Sequence, residues 1–192
     1  MVLKLRSSTP NVMIYGETGR FPLEVYIKER MIKYWSRIDL GKKEKLCHIS
    51  YSICKNNLFN NGLETDWILY INTILNSNNY VNWHYIEDFI ADYHVKVIIK
   101  DIINTYIESW NNLVNISPSC QSLYKYIELN FESEYYLDNL PESLRIMISK
   151  CRTSNHKLPI QRGRYVNITR EERKCNLCDD QLVGDEFHFF RV

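Results

Sequence analysis

At 192 residues, with 45% hydrophobic side chains, the chain is long enough for one sizeable core, or for a core with a small appendage. Its 24 Lys and Arg against 23 Asp and Glu give a net charge of +1, so the global charge does not select a polyanionic partner. Six cysteines are too few for a disulfide scaffold, no secretory signal opens the chain, and no apolar run reaches the roughly 18 residues of a membrane span. A soluble intracellular protein, nuclear or cytoplasmic, with reduced thiols is expected.

Residues 1–22 read as an N-terminal edge and turn. The glycines and proline of Tyr15-Gly16-Glu17-Thr18-Gly19-Arg20-Phe21-Pro22 punctuate the chain, and Pro22 suits the first position of a helix. This glycine pair lacks the preceding strand and the following Lys-Ser/Thr of a phosphate loop. Residues 23–151 form the expected helical bundle. Leu23, Ile27, Met31, Tyr34, Trp35 and Ile38 recur at helical spacing, supported by Glu24 with Lys28 and Glu29 with Lys33. A second helix runs from about Lys43 to Phe59 on Leu46, Ile49, Ile53 and Cys54, and stops at Asn60-Asn61-Gly62. Cys47, His48 and Cys54 read as packing or solvent-facing residues, with no second ligand pair near them.

Thr65 or Asp66 caps a third helix carrying Trp67, Ile68, Ile71, Ile74 and Leu75. Trp83 to Val114 continues in helical pattern with a break expected near Tyr93 to Val95, because so long a helix is unusual in a globular protein. His84 and His94 do not fit a helical metal pair. A shorter helix spans Ser119 to Phe131, and Asp138-Asn139-Leu140-Pro141 introduces another through about Cys151. Trp35, Trp67, Trp83 and Trp110 are the expected core anchors.

Residues 152–192 form a basic linker and a knuckle. From Arg145 to Lys174 the chain carries nine cations against Glu171 and Glu172. Arg152, Lys157, Arg162, Arg164 and Arg173 are the candidates for contacts to the phosphates of RNA or DNA, and a merely solvated face is the competing reading. Leu158-Pro159 and Gly163 argue against a helix. Tyr165, Val166 and Ile168 suggest an extended segment leading into a small β-hairpin. Its two thiols, Cys175 and Cys178, with the imidazole of His188, have the donor types and spacing of a structural zinc site. A redox dithiol is disfavoured, since no strand-helix alternation surrounds Cys175; two unrelated cysteines are the remaining alternative. The site is expected to be incomplete here, with a fourth ligand beyond Val192 and with Cys151 and His156 as weaker internal substitutes. The fold class is therefore mostly α, an irregular helical bundle with a small C-terminal zinc-knuckle β-hairpin.

The residues Tyr15-Gly16-Glu17, Gly19-Arg20, Pro22-Leu23, Arg30-Met31-Ile32 and Tyr34-Trp35 resemble the segment after the polymerase thumb in animal non-LTR retrotransposon (LINE-type) reverse transcriptases. Cys151-Arg152-Thr153-Ser154-Asn155-His156-Lys157-Leu158-Pro159-Ile160, Gly163-Arg164, Arg170-Glu171-Glu172-Arg173 and Cys175-Asn176-Leu177-Cys178, with Gly184-Asp185-Glu186-Phe187-His188, are similar to the C-terminal region of such proteins. The resemblance implies a mobile-element fragment cut at both ends, with Cys175, Cys178 and His188 as zinc positions, a cysteine following the histidine, and a role in nucleic-acid binding. It carries over no catalytic residue: the Tyr-x-Asp-Asp turn of the polymerase and any endonuclease are missing from this sequence, so no enzyme is expected. The alternative function is a helical protein-interaction module whose zinc knuckle is purely structural or non-functional.

Overall fold

The computed structural model describes residues 3–62, 65–80, 92–117, 123–127 and 130–189. Its helices are α1 (Asn11–Thr18), α2 (Leu23–Asp39), α3 (Leu46–Asn61), α4 (Asp66–Ser77), α5 (Asp92–Ile116), α6 (Tyr124–Ile127), α7 (Tyr135–Asn139), α8 (Glu142–Arg152), α9 (Pro159–Arg164) and α10 (Glu186–Phe189). The mostly helical expectation is met. The chain divides into two compact units, one of residues Phe21–Ser109 and one joining Met1–Arg20 to Trp110–Val192.

In the unit Phe21–Ser109, α2 begins where Pro22 holds an extended backbone (φ −64°, ψ 157°). Lys28 pairs with Glu24 at 2.5 Å and Lys33 pairs with Glu29, as their i,i+4 spacing predicts. Val25, Ile32, Trp35 and Ile38 of α2 are buried with Ile68, Ile71, Ile74 and Leu75 of α4 and with Val95, Ile98 and Ile102 of α5. Each such side chain contributes about 1.5–3 kcal/mol of transfer free energy. Within this core the indole N–H of Trp35 donates to the Tyr51 hydroxyl at 3.0 Å.

Helix α3 departs from its expected face. Tyr51 points inward and Cys54 and Leu58 pack against the core, whereas Leu46, Ile49 and Ile53 are 78%, 44% and 55% exposed. The i,i+3,i+7 spacing of those three marks a helix, but Tyr51, on the opposite side, supplies the larger buried surface and a hydroxyl for Trp35. The helix ends on Gly62 in the left-handed conformation (φ 64°), as the Asn-Asn-Gly signal predicts. Helix α5 runs unbroken through Tyr93 to Val95. Trp83 and His84 lie outside the described residues, as does part of the helix expected over Ser119 to Phe131, of which α6 is described.

In the other unit, the stretch read as a turn at Tyr15 and Gly16 is helical instead. Gly16 lies inside α1 because Trp110 and Tyr124 pack directly on it; an added Cβ would stand 2.6 Å from Trp110 Cζ2 and collide with the Tyr124 hydroxyl. Both aromatic residues also bond to the backbone of α1, Trp110 Nε1 to Val12 O at 2.8 Å and Tyr124 Oη to Met13 O at 3.1 Å. The turn is confined to Gly19 (φ 58°). Residues 3–10 are built into this unit: Leu3 is buried with Tyr136 and Leu137, and Arg6 N and Thr9 Oγ1 donate to Asn155 Oδ1 at 3.3 and 3.2 Å. A buried carboxylate, Glu17, accepts from Arg152 Nε at 2.7 Å and from the Tyr136 hydroxyl. Arg152 Nη2 also reaches Glu134 Oε1 at 2.5 Å.

No strand occurs among the described residues, so the expected zinc-knuckle β-hairpin is corrected. Lys174 and Val183 form one isolated antiparallel bridge, and the chain curls away on both sides of it. Lys174 N already bonds to Glu172 O at 2.8 Å, and Asp185 N to Val183 O at 2.9 Å. These tight turns leave each arm too short for a ladder. The segment read as non-helical at Leu158-Pro159 contains α9, with Pro159 at its first turn, where proline's missing N–H has no intrahelical partner to lose.

Candidate metal centre

The two cysteines lie on the loop between Lys174 and Val183, and His188 lies on α10. Cys175 N donates to Leu182 O at 2.9 Å, Gly184 N to Arg173 O at 2.8 Å, and Ile160 N to Gly184 O at 3.1 Å, so both arms of the loop are tied down and one is docked on α9. Arg173 fastens the other arm to the same helix. Its guanidinium donates to Ile168 O from Nε (2.9 Å) and Nη2 (2.6 Å) and to Ile160 O from Nη1 (3.0 Å). Its aliphatic stem lies against Gly163, where an added Cβ would stand 2.6 Å from Cγ and 2.7 Å from Cδ. On the opposite side, Asp185 Oδ1 accepts from His188 N at 2.9 Å and caps the single turn of α10.

These contacts bring Cys175 Sγ, Cys178 Sγ and a His188 ring nitrogen within 4.8 Å of one another. His188 is buried. Cys178 Sγ and His188 Nε2 are 3.0 Å apart, at hydrogen-bonding distance. Two donors on a tetrahedral zinc ion stand about 3.5–3.8 Å apart, given Zn–S near 2.3 Å and Zn–N near 2.0–2.1 Å. An opening of about half an ångström on that edge fits the ion, and two thiols with one imidazole are a donor set zinc favours. The Leu177 N–H, 3.3 Å from Cys175 Sγ, holds that thiol below its usual range. At Cys178 the Asp180 N–H pulls the same way, but desolvation and the neighbouring Cys175 sulfur outweigh it and raise the thiol.

The internal candidates for a fourth donor stand outside this group. Both ring nitrogens of His156 are engaged, Nε2 with Glu186 Oε1 at 2.6 Å and Nδ1 with the Leu158 N–H at 3.2 Å. Burial, reinforced by the Glu186 carboxylate, pushes the Cys151 thiol up and disfavours the thiolate a metal needs. Among the described residues the donor group has three members, an incomplete or partial zinc site.

Three of the five basic candidates, Lys157, Arg162 and Arg173, line one open cleft, and Arg152 and Arg164 do not line it. Arg152 is held between Glu17 and Glu134, and Arg173 is the clasp just described. Arg164 borders a small cavity of about 110 Å³ with Thr9, Pro10 and Asn155. Lys157 and Arg162 line the open cleft beside Arg173, together with Lys174, a cation of the basic run that was not singled out from the sequence. Asp185 was missed as the support of His188, and Glu186 as the partner of His156 and Ser154; an aspartate just before a short Glu-Phe-His turn was the available cap signal.

Fold and site together define an all-helical protein carrying a Cys/Cys/His cluster of metal-ligand geometry. No family model, no curated protein and no solved structure matches the chain. The resemblance to the C-terminal region of a non-LTR retrotransposon reverse transcriptase is thereby corrected: the zinc-bearing hairpin it implies is replaced by a loose three-donor cluster in a helical setting. No helix among the described residues is long and apolar enough to cross a membrane.

Proposed function

We propose that the chain is a non-catalytic helical module for protein interaction, in which Cys175, Cys178 and His188 take a zinc ion for structural purposes. The observation that carries this reading is that the donors sit on two segments, the 175–178 loop and α10, which the fold brings within 4.8 Å while one β-bridge is the only sheet pairing between the loop's arms among the described residues. An ion there cross-links a piece too short to bury a core of its own. The outward Leu46, Ile49 and Ile53 of α3 supply an apolar surface of the kind that marks contact sites. A second reading, contact with the phosphates of RNA or DNA, is favoured by the placement of Lys157 and Arg162 on one cleft.

The test is zinc loading and removal followed by amide hydrogen exchange. One zinc per chain is expected, and chelation should speed exchange at Cys175 and Gly184 while leaving the amides of α2 and α4 unchanged. Failure to take up zinc, or equal loss of protection throughout the chain, would overturn the structural-metal reading. Leu46→Ser, Ile49→Ser and Ile53→Ser should leave thermal stability unchanged and reduce self- or partner association; a large loss of stability would place these side chains in a core instead.

A further inference from the structure

We infer that the open cleft between α9 and the 168–176 segment is a binding site for a phosphate ester. The cleft has a volume of about 410 Å³, within the range of small-molecule sites. Lys157, Arg162, Arg173 and Lys174 border it, against one carboxylate, Glu172. That carboxylate accepts from Thr169 N and Oγ1 at 3.3 and 2.8 Å, closing a capping box, so it is turned to local structure. Arg173 is likewise spent on the carbonyls of Ile160 and Ile168.

The side chains of Lys157, Arg162 and Lys174 are different. All three are exposed, and none makes a hydrogen bond or ion pair among the described residues. Like charges gathered on one concave surface raise the local potential and select a multiply charged anion. A guanidinium and two ammonium groups lining one cleft suit phosphate, which the guanidinium can grip through two parallel hydrogen bonds, better than a single carboxylate. Part of the lining is apolar, supplied by Pro159, Val166 and Ile168, with Val166 65% exposed. Inorganic phosphate would leave that apolar lining uncovered, whereas the organic part of an ester covers it. The phosphate ester is either a free nucleotide or one unit of a polynucleotide strand.

The test uses the full zinc-loaded chain and a short fluorescein-labelled single-stranded oligonucleotide, read by fluorescence anisotropy at several salt concentrations. A nucleoside monophosphate and inorganic phosphate serve as competitors. Lys157→Ala, Arg162→Ala and Lys174→Ala are each expected to weaken binding about tenfold and to lower the slope of log affinity against log salt by about one. Lys42→Ala with Lys43→Ala, on the other unit, removes the same kind of charge and should change neither. The nucleoside monophosphate should compete better than inorganic phosphate; saturation by the monophosphate alone identifies the free nucleotide, and binding of the strand alone identifies the polynucleotide. Zinc uptake measured on every variant separates loss of the cleft from loss of the metal centre. The proposal is overturned if neither ester binds, if the three cleft variants bind as the native chain does, or if an acidic peptide of equal charge displaces the probe as well as the monophosphate.

Discussion

Replacing Gly163 by alanine should have opposite effects with and without Arg173. Gly163 lies within α9, and at an ordinary helical position alanine is favoured over glycine by about 0.5–1 kcal/mol. Here the new Cβ would meet Arg173 at Cγ (2.6 Å), Cδ (2.7 Å) and Nε (2.8 Å). Cγ is too near the main chain to swing aside, so relief requires the whole side chain to lift and its bonds to Ile160 O and Ile168 O to break. A hydrogen bond from a charged donor contributes about 1.5–3 kcal/mol, less where water can replace it, as it can at Ile168. Set against the helix gain, the net loss is about 1–3 kcal/mol, roughly a 5- to 150-fold shift in local opening. In the Arg173→Ala background both clash and bonds are gone, and Gly163→Ala should become neutral or stabilising. Hydrogen exchange at Cys175 N, bonded to Leu182 O, and at Gly184 N, bonded to Arg173 O, reports opening of this segment; competition with a chelator reports zinc affinity in parallel. Unchanged or increased protection on introducing Gly163→Ala alone would refute the clasp.

Cobalt(II) substitution should give thiolate-to-metal absorption that disappears in Cys175→Ser and Cys178→Ser, weakens in His188→Ala, and persists in Cys151→Ser; release of metal by Cys151→Ser would show that the fourth donor was misplaced. Gly16→Val should destabilise the unit containing α1 by roughly 3 kcal/mol or more, seen by denaturant melting, because Trp110 and Tyr124 occupy the space its side chain needs. Burial holds the Glu17 carboxyl above its usual range against the opposing pull of Arg152. Its contribution to stability is therefore full below the ordinary value of 4.5 and falls as pH rises through the raised one. Glu17→Gln mimics the protonated form, so its stability relative to the native chain should grow as pH rises from 4.5; a difference that shrinks over that range would show the Arg152 charge to dominate over burial.

Local signals were enough to place α2, α4 and α8 as helices, and in α4 the apolar spacing also marks the buried face, Ile68, Ile71, Ile74 and Leu75; in α2 the predicted Leu23, Ile27 and Tyr34 are exposed while Val25 and Ile32 are buried. They were enough, too, for the metal donors: a C-x-x-C pair and a following histidine carry their chemistry in residue type, and the fold brings the three together. Gly16 and Gly163 were misread because a glycine signals a turn only when its backbone needs one. At both positions the glycine admits a distant side chain, Trp110 and Tyr124 on α1 and Arg173 on α9, which no local pattern encodes. The buried face of α3 was likewise decided elsewhere, by the site that Trp35 and α4 leave for Tyr51. The cations of the basic run look equivalent along the chain. Only tertiary structure separates Arg152, neutralised by Glu17 and Glu134, and Arg173, bound to carbonyls, from Lys157, Arg162 and Lys174, because a charge is spent by what lies across from it rather than by what precedes it.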